Sequence, residues 1–135
     1  MHISGGCHCG AITYEAEVDP AKVSLCHCTD CQILTGTAFR ASVPANKADF
    51  RLLTGTPKIY VKVGDSGARR AQGFCGTCGT PLYATSADDP QVYGIRTGTA
   101  RECARLLPRR QIWCDSAREW AMNVGPLPRF AREPG

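Results

Sequence analysis

The sequence predicts a mainly β fold with little helix, and three observations support this prediction. Several segments alternate apolar and polar residues, which is the pattern of strands with one buried face. Turn-forming residues separate these segments, and the chain contains 14 glycines and 9 prolines. No long segment carries apolar residues at helical spacing. The length of 135 residues predicts one domain with a hydrophobic core.

The strands can be placed in order along the chain. The predicted strands cover residues 12–18, 39–43, 50–54, 58–63, 71–75, 82–85 and 91–96. Helix is predicted only directly after Cys31 and over residues 101–107, where Pro108 would end it. The pair Thr29-Asp30 is predicted to cap the first helix, although Asp30 could instead serve as a general base.

Charge and hydropathy exclude several classes of protein. Lys and Arg exceed Asp and Glu by four, but the basic residues form no long run, so we expect no nucleic-acid partner. No unbroken apolar run is longer than three residues, so we expect no membrane span. The first residues have neither a basic nor an apolar segment of a secretory signal. We therefore expect a cytoplasmic protein.

Seven of the nine cysteines fall into three short clusters. The clusters are Cys7 with Cys9, Cys26 with Cys28 and Cys31, and Cys75 with Cys78. An odd number of cysteines and the missing signal argue against a disulfide framework. Short spacings instead let neighbouring thiolates turn toward one ion. Seven thiolates with two divalent zinc ions would lower the net charge from +4 to about +1.

Two of the clusters are suited to a closed, structural zinc site. Cys75 and Cys78 stand three residues apart, and Gly79 follows them as the residue of a tight knuckle. Cys7 and Cys9 offer a second two-thiolate arm. Four thiolates complete a tetrahedral site that admits no substrate and stabilises the fold. Spacing alone only favours this partition, because seven thiols can be divided in other ways.

The third cluster has three thiolates and no fourth cysteine nearby in the sequence. Three ligands leave one coordination position open, which is the arrangement of a catalytic zinc. Either Cys103 or Cys114 could close this site, but both are predicted to be ordinary cysteines. His8 and His27 each lie between two cysteines and are predicted to support the ligands or to face solvent.

The cysteine clusters and their flanking residues resemble the glutathione-dependent formaldehyde-activating (GFA) or centromere-protein-V-like family. The matching segments are residues 6–10 with Ile12 and Tyr14-Glu15, residues 26–32 with Gly36 and Phe39, residues 74–83, and Ile112-Trp113 ahead of Trp120. The resemblance covers residues 3–120 and leaves residues 121–135 as an irregular C-terminal tail. It implies a β-tent fold of antiparallel sheets with zinc-binding loops.

The resemblance also implies an activity and a set of site residues. It implies a structural zinc at Cys7, Cys9, Cys75 and Cys78, and a more labile zinc at a reactive site formed by Cys26, Cys28 and Cys31. The family activity joins formaldehyde to the thiol of glutathione to give S-(hydroxymethyl)glutathione. The enzyme is classified by the reverse reaction, as a carbon–sulfur lyase. The carboxylates of such a thiol would need cationic partners. The candidates are Arg40, Arg69, Arg96 and Arg118, although each is individually predicted to be a solvated surface side chain instead.

Two other functions remain open on the sequence alone. The first is a non-catalytic zinc-stabilised module that binds or scaffolds a partner through the region of Trp120. The second is a zinc- or redox-responsive sensor in which loss of the labile ion frees the three cysteines to oxidise. The sequence does not predict the oligomeric state.

Overall fold

The computed structural model describes residues 1–134 and confirms the mainly β prediction. The strands are β1 (His2–Gly6), β2 (Thr13–Glu17), β3 (Ser24–Cys26), β4 (Arg40–Asn46), β5 (Phe50–Thr54), β6 (Lys58–Val63), β7 (Arg69–Phe74), β8 (Pro81–Ser86), β9 (Val92–Arg96) and β10 (Arg110–Ile112). The one α-helix of this range, α1, covers Thr29–Thr35. No helix within residues 1–134 has the length and apolar character needed to cross a bilayer.

The strands form two sheets. The smaller sheet has the order β1-β2-β5, and the larger has the order β10-β3-β4-β9-β8-β7-β6. Neighbouring strands are antiparallel except for β10 and β3, which run parallel. An isolated bridge between Gly5 and Ala100 ties the smaller sheet to the segment that follows β9.

A single hydrophobic core joins the two sheets. Ile3 and Tyr14 enter it from the smaller sheet, and Val43 and Ile95 enter it from the larger. The rings of Phe50 and Tyr93 stack against it with their centroids 4.7 Å apart. Each fully buried large apolar side chain contributes about 1.5–3 kcal/mol to the free energy of folding, so these contacts hold the sheets together.

The opposite face of the larger sheet is polar. Val43 lies opposite Ile95 in the β4–β9 pair, and the next pair of partners is Ser42 and Arg96. Because side chains alternate along a strand, Ser42 and Arg96 project away from the core. The same register places Cys26 opposite Arg40, on this polar face. The fold thus gathers charged and sulfur-bearing side chains on the side of the sheet that the core does not use.

Several predicted elements need correction. The predicted helix over residues 101–107 is only a 3-10 turn, Cys103–Arg105. Beyond this turn the chain is extended: the Arg109 amide donates to the Val23 carbonyl oxygen at 2.9 Å, and β10 then pairs with β3. The predicted cap is also wrong, since Cys28 occupies that position and its Sγ accepts from the Cys31 amide at 3.3 Å.

The C-terminal segment has little regular secondary structure. A short 3-10 turn covers Glu119–Met122, and no helix or strand follows it up to residue 134. The division into a domain of residues 3–120 and a tail of residues 121–135 stays a prediction.

Candidate functional site

Four cysteines from two distant parts of the chain meet at one end of the fold. The Sγ atoms of Cys7, Cys9, Cys75 and Cys78 all lie within 4.8 Å of one another. Cys7 and Cys9 follow β1, whereas Cys75 and Cys78 follow β7, so the cluster joins the smaller sheet to the larger. Tetrahedral zinc with bonds of about 2.3 Å holds sulfurs about 3.8 Å apart. The Cys7–Cys9 and Cys9–Cys75 sulfur distances of 3.6 and 3.8 Å fit this geometry.

The loops around this cluster are shaped to present sulfur. Gly10 and Gly79 adopt φ of +82° and +79°, which lets each loop turn sharply after its second cysteine. The Ile12 amide donates to Cys7 Sγ at 3.2 Å. The hydroxyl of Thr80 lies 3.2 Å from Cys78 Sγ, and this hydrogen bond, together with those from the Cys9 and Thr80 amides, lowers the pKa of Cys78 to about 5. These contacts stabilise the thiolate form, which is the form that binds metal.

The third cysteine cluster forms where β3 leads into α1. Cys26 ends the strand, Cys28 caps the helix and Cys31 lies in its first turn, and their sulfurs all lie within 4.8 Å of one another. All three are half-buried. The hydrogen bond from Cys31 lowers the pKa of Cys26. Three donors that converge on one point fit a zinc ion with a free fourth position, and we call this set the cysteine trio.

None of the nine cysteines, all of which lie in the described chain, forms a disulfide. Cys103 and Cys114 are exposed and belong to neither cluster. His8 is exposed and also lies outside both clusters.

His27 is fully buried, and it supports the loop of the trio. Its Nε2 is 2.8 Å from Gln111 Oε1, and its ring packs edge-on against Phe39. The His27 carbonyl oxygen accepts from Gln32 Nε2 at 2.8 Å and from Ser116 Oγ at 2.9 Å. These contacts fix the backbone between Cys26 and Cys28, so His27 orients the trio without belonging to it.

The trio opens onto a cavity of about 380 Å³ above the polar face of the larger sheet. The cavity walls are the trio itself, residues from seven strands, one further residue of α1 and the loop after β10. The lining residues used below are Arg40, Ser42, Gln72, Arg96 and Trp113. By contrast, no cysteine of the four-cysteine cluster lines any of the main cavities of the described chain.

Two of the four candidate arginines lie at this cavity. Arg40 and Arg96 are buried in its wall. Arg69 pairs with Asp88 at 2.8 Å, and Arg118 Nε donates to Gln32 Oε1 at 3.0 Å, so both are engaged elsewhere. Burial and then the neighbouring charge of Arg40 lower the pKa of Arg96 to about 9, which leaves it a cation at neutral pH.

Sequence reasoning missed most residues of the cavity outside the trio and the two arginines, and Gln72 and Trp113 are two examples. Gln72 lies on β7, and its contact with the cavity depends on the order of four strands that no local pattern reveals. Trp113 was noted only as part of a motif. It has φ of +58°, unusual for a bulky residue, and it lines the cavity together with Cys28.

Comparisons with known proteins agree with this arrangement. Residues 2–116 match the model of a family described as glutathione-dependent formaldehyde-activating enzyme. The chain belongs to this family. The GFA resemblance carried by the cysteine motifs is thereby confirmed, and the match includes all seven clustered cysteines.

Two individual proteins are similar to this GFA-family chain. A Schizosaccharomyces pombe protein named as an uncharacterized lyase is 31% identical over 91 residues, which is 67% of this chain and 63% of that protein. The chain thus matches less than two thirds of that relative. The crystal structure of a Rhodobacter sphaeroides protein aligns with a TM-score of 0.62 and 22% identity, covering 80% of this chain and 98% of the other. This second likeness concerns the fold alone.

Proposed function

We propose that the protein is a zinc-dependent carbon–sulfur lyase of the S-(hydroxymethyl)glutathione synthase type. It would join the thiol of glutathione or a similar small thiol to an aldehyde such as formaldehyde, or cleave the product. Family membership and the lyase name of the S. pombe relative support this proposal. The observation that carries it is the cysteine trio, whose three sulfurs converge in the wall of a cavity.

The two cysteine clusters have different roles in this proposal. Cys7, Cys9, Cys75 and Cys78 would hold a structural zinc, because four sulfurs leave no position for a substrate. Cys26, Cys28 and Cys31 would hold the second ion and form the catalytic site. Zinc bound there supplies a Lewis-acidic position that lowers the pKa of a thiol.

The reaction is an addition that needs no oxidant or reductant. The sulfur of the thiol forms a bond to the carbonyl carbon, the carbon–oxygen double bond becomes single, and the thiol proton ends on the oxygen. The chain must therefore bring two small molecules together and keep them oriented. The cavity beside the trio offers about 380 Å³ for this purpose. Its buried cations would bind and orient polar groups of the substrates.

The structural ion would determine whether the domain is folded. A structural zinc contributes on the order of 10 kcal/mol, whereas a domain of this size has a net stability of about 5–15 kcal/mol. Loss of the four-cysteine site would remove most of that stability. Loss of an ion at the trio would leave the link between the two sheets intact.

A non-catalytic binding or scaffold module is the second candidate, and exposed aromatic residues favour it. Trp113, Trp120 and Phe130 have exposed fractions of 60%, 63% and 63%. Aromatic side chains are enriched at contacts between proteins. A scaffold would bind zinc at both clusters but would not accelerate carbon–sulfur bond formation.

The test compares Cys28→Ser with Cys78→Ser, using exposed Cys103→Ser as the matched control. Zinc per chain, thermal unfolding and formation of S-(hydroxymethyl)glutathione above the uncatalysed rate are measured for each. We expect Cys28→Ser to stay folded, to lose one zinc and to lose activity. We expect Cys78→Ser to be unfolded or strongly destabilised. Full activity in Cys28→Ser would show that the trio is not the catalytic site.

A further inference from the structure

Two buried arginines face the cavity of the trio without an acidic partner. Arg40 and Arg96 are only 6% and 9% exposed. In the described chain, neither forms a salt bridge, and no Asp or Glu lines the cavity. A buried charge is costly unless it is paired. Two such charges side by side therefore need an explanation beyond the packing of the sheet.

Neutral groups satisfy only part of the hydrogen-bonding capacity of these arginines. Gln72 Oε1 accepts from Arg40 Nη1 at 2.9 Å and from Arg96 Nη2 at 3.0 Å. Arg96 Nη1 also donates to Ser42 Oγ at 2.8 Å. The Nε atoms of both arginines are buried and have no partner among residues 1–134. Because a guanidinium carries five N–H donors, most donors of the pair remain available.

The sulfurs of the trio do not balance the charge of the cavity. Three thiolates with one divalent ion carry a net charge of −1, whereas the two guanidiniums carry +2. Lys62 and Arg70 also line the cavity. Lys62 is neutralised by Asp30 at 2.8 Å, but no salt bridge of the described residues involves Arg70. With zinc bound, the residues that line this cavity therefore keep a positive charge and would attract a small anion, whereas Asp65 and Asp115 line the neighbouring cavity.

The sheet register leaves room for that anion beside the sulfurs. Arg40 lies opposite Cys26 in the β3–β4 pair, and Arg96 lies opposite Ser42 in the β4–β9 pair. The neighbouring strand positions carry the small residues Gly94 and Ala84. A Cβ added at Gly94 would lie 4.0 Å from Arg96 Nη1, so the missing side chain keeps the space next to the guanidinium open.

We infer that Arg40 and Arg96, bridged by Gln72, bind the carboxylate of a substrate whose reacting group lies at the cysteine trio. Planar guanidiniums bind a carboxylate through paired, charge-assisted hydrogen bonds, and the terminal Nη donors that Gln72 and Ser42 leave free would supply them. The identity of the reacting group rests on the proposed function, but the carboxylate site rests on the arginines alone. The carboxylate belongs either to the thiol or to the aldehyde.

Calorimetric binding to the zinc-loaded protein tests this inference with two matched pairs of probes. The thiol pair is 3-mercaptopropionate and its amide, and the aldehyde pair is glyoxylate and its amide. We expect at least one acid to bind about tenfold to hundredfold more tightly than its amide, the range for hydrogen bonds to a charged group. The pair that shows the preference identifies which substrate carries the carboxylate.

Variants assign the preference to the arginines. We expect Arg96→Gln to abolish the preference for the acid over its amide while zinc content stays unchanged. Arg69→Gln is the control, because it removes an equal charge that is paired with Asp88, and it should keep the preference. If Arg96→Gln does not fold, the unmodified protein is titrated with each probe, and the Nε–H NMR signals of Arg40 and Arg96 are followed instead. Both arginine signals should then shift with the acid and not with the amide. Unshifted signals would overturn the inference.

The outcomes separate this inference from the proposed function. Equal binding of acid and amide in both pairs would overturn the carboxylate site and leave the lyase proposal standing. A clear preference for one acid in a protein without any carbon–sulfur bond formation would support the carboxylate site and overturn the lyase.

Discussion

Cys26 and Arg40 lie opposite each other in the β3–β4 strand pair, so a sulfur of the trio and a buried guanidinium project from the same face of the sheet. The register of this strand pair therefore determines which side chains face the cavity. A shift of β3 by one residue would turn Cys26 toward the core and place Leu25 beside the cavity. The site therefore depends on strand pairing as much as on its cysteines.

Zinc removal is expected to proceed in two stages. The trio has three sulfurs and faces a cavity, so a chelator should take its ion first and abolish activity with little change in the melting temperature. Removal of the second ion should unfold the domain. Released zinc is followed with a colorimetric chelator while circular dichroism reports folding. Unfolding in step with the first ion released would contradict the assignment of the two clusters.

Gly5→Ala is expected to destabilise the fold by about 3 kcal/mol or more, because it forces atoms into an occupied space. A Cβ at Gly5 would clash with the Thr99 carbonyl oxygen and lie 2.9 Å from Ala100 Cα, at the bridge to the smaller sheet. Gly98→Ala is the matched control, since nothing lies within 4 Å of its added Cβ. Urea denaturation measures both variants. Equal stabilities would mean that this close approach of the backbones is not maintained.

Local pattern predicted much of the fold. Residues 50–54 and 58–63 were predicted as strands and form β5 and β6 with the same bounds, because turn residues delimit both segments and residues 58–63 also alternate. Three strands were missed. The first, β1, covers His2–Gly6, and it ends in two glycines, which weaken a local strand pattern; it is held by its pairing with β2. The other two are β3 and β10. Each has only three residues, too few for a period to be visible, and each exists because of its pairing with a remote strand.

The candidate site was predictable in its sulfurs and not in its surroundings. Cysteine spacing indicated the trio. It also favoured one site for the two remaining pairs of clustered cysteines, and the sulfurs of these pairs do lie together. Gln72 could not be found this way, because its neighbours Arg40 and Arg96 come from strands distant in sequence. Sheet order also determines that two of the four candidate arginines, Arg40 and Arg96, lie at the cavity of the trio. A sequence pattern does not contain sheet order.

Tyr14→Phe is expected to cost about 1 kcal/mol at neutral pH, the value of one hydrogen bond. The Tyr14 hydroxyl lies 2.8 Å from Thr99 Oγ1, and Tyr14 is only 1% exposed. Thr99 keeps its bond to the Arg96 carbonyl oxygen at 2.8 Å, which limits the loss. Thermal unfolding measures the difference, and Tyr60→Phe, at an exposed position, is the control. A loss of 3 kcal/mol or more would point to a wider network.

The same variant should change the response to alkaline pH. Burial raises the pKa of Tyr14, opposed by the bond to Thr99 and reinforced by the charge of Glu102. Above the unfolded pKa of about 10, the unfolded chain releases a proton that the folded chain retains. Stability is therefore lost as pH rises past that value. Tyr14→Phe should lose less stability between about pH 9 and 11 than the unmodified protein, and an unchanged slope would show that Tyr14 does not contribute.

Asp30→Asn distinguishes a structural from a catalytic role for the carboxylate nearest to the trio in sequence. Asp30 Oδ2 accepts from Lys62 Nζ at 2.8 Å, and Asp30 lines a neighbouring cavity that includes Cys28 but neither Cys26 nor Cys31. A carboxylate held by a lysine outside the cavity of the trio is poorly placed to take a proton there. The Asp30 side chain is 50% exposed, so its ion pair is worth roughly 0.2–1 kcal/mol.

We therefore expect Asp30→Asn to lower the melting temperature only slightly and to change the turnover number by less than about threefold. Loss of a general base would lower turnover by about a hundredfold or more. Lys62→Met is the companion variant, since it breaks the same ion pair but leaves the carboxylate in place. If turnover falls steeply in Asp30→Asn and not in Lys62→Met, Asp30 is the general base and the carboxylate has to reach the trio in the working enzyme.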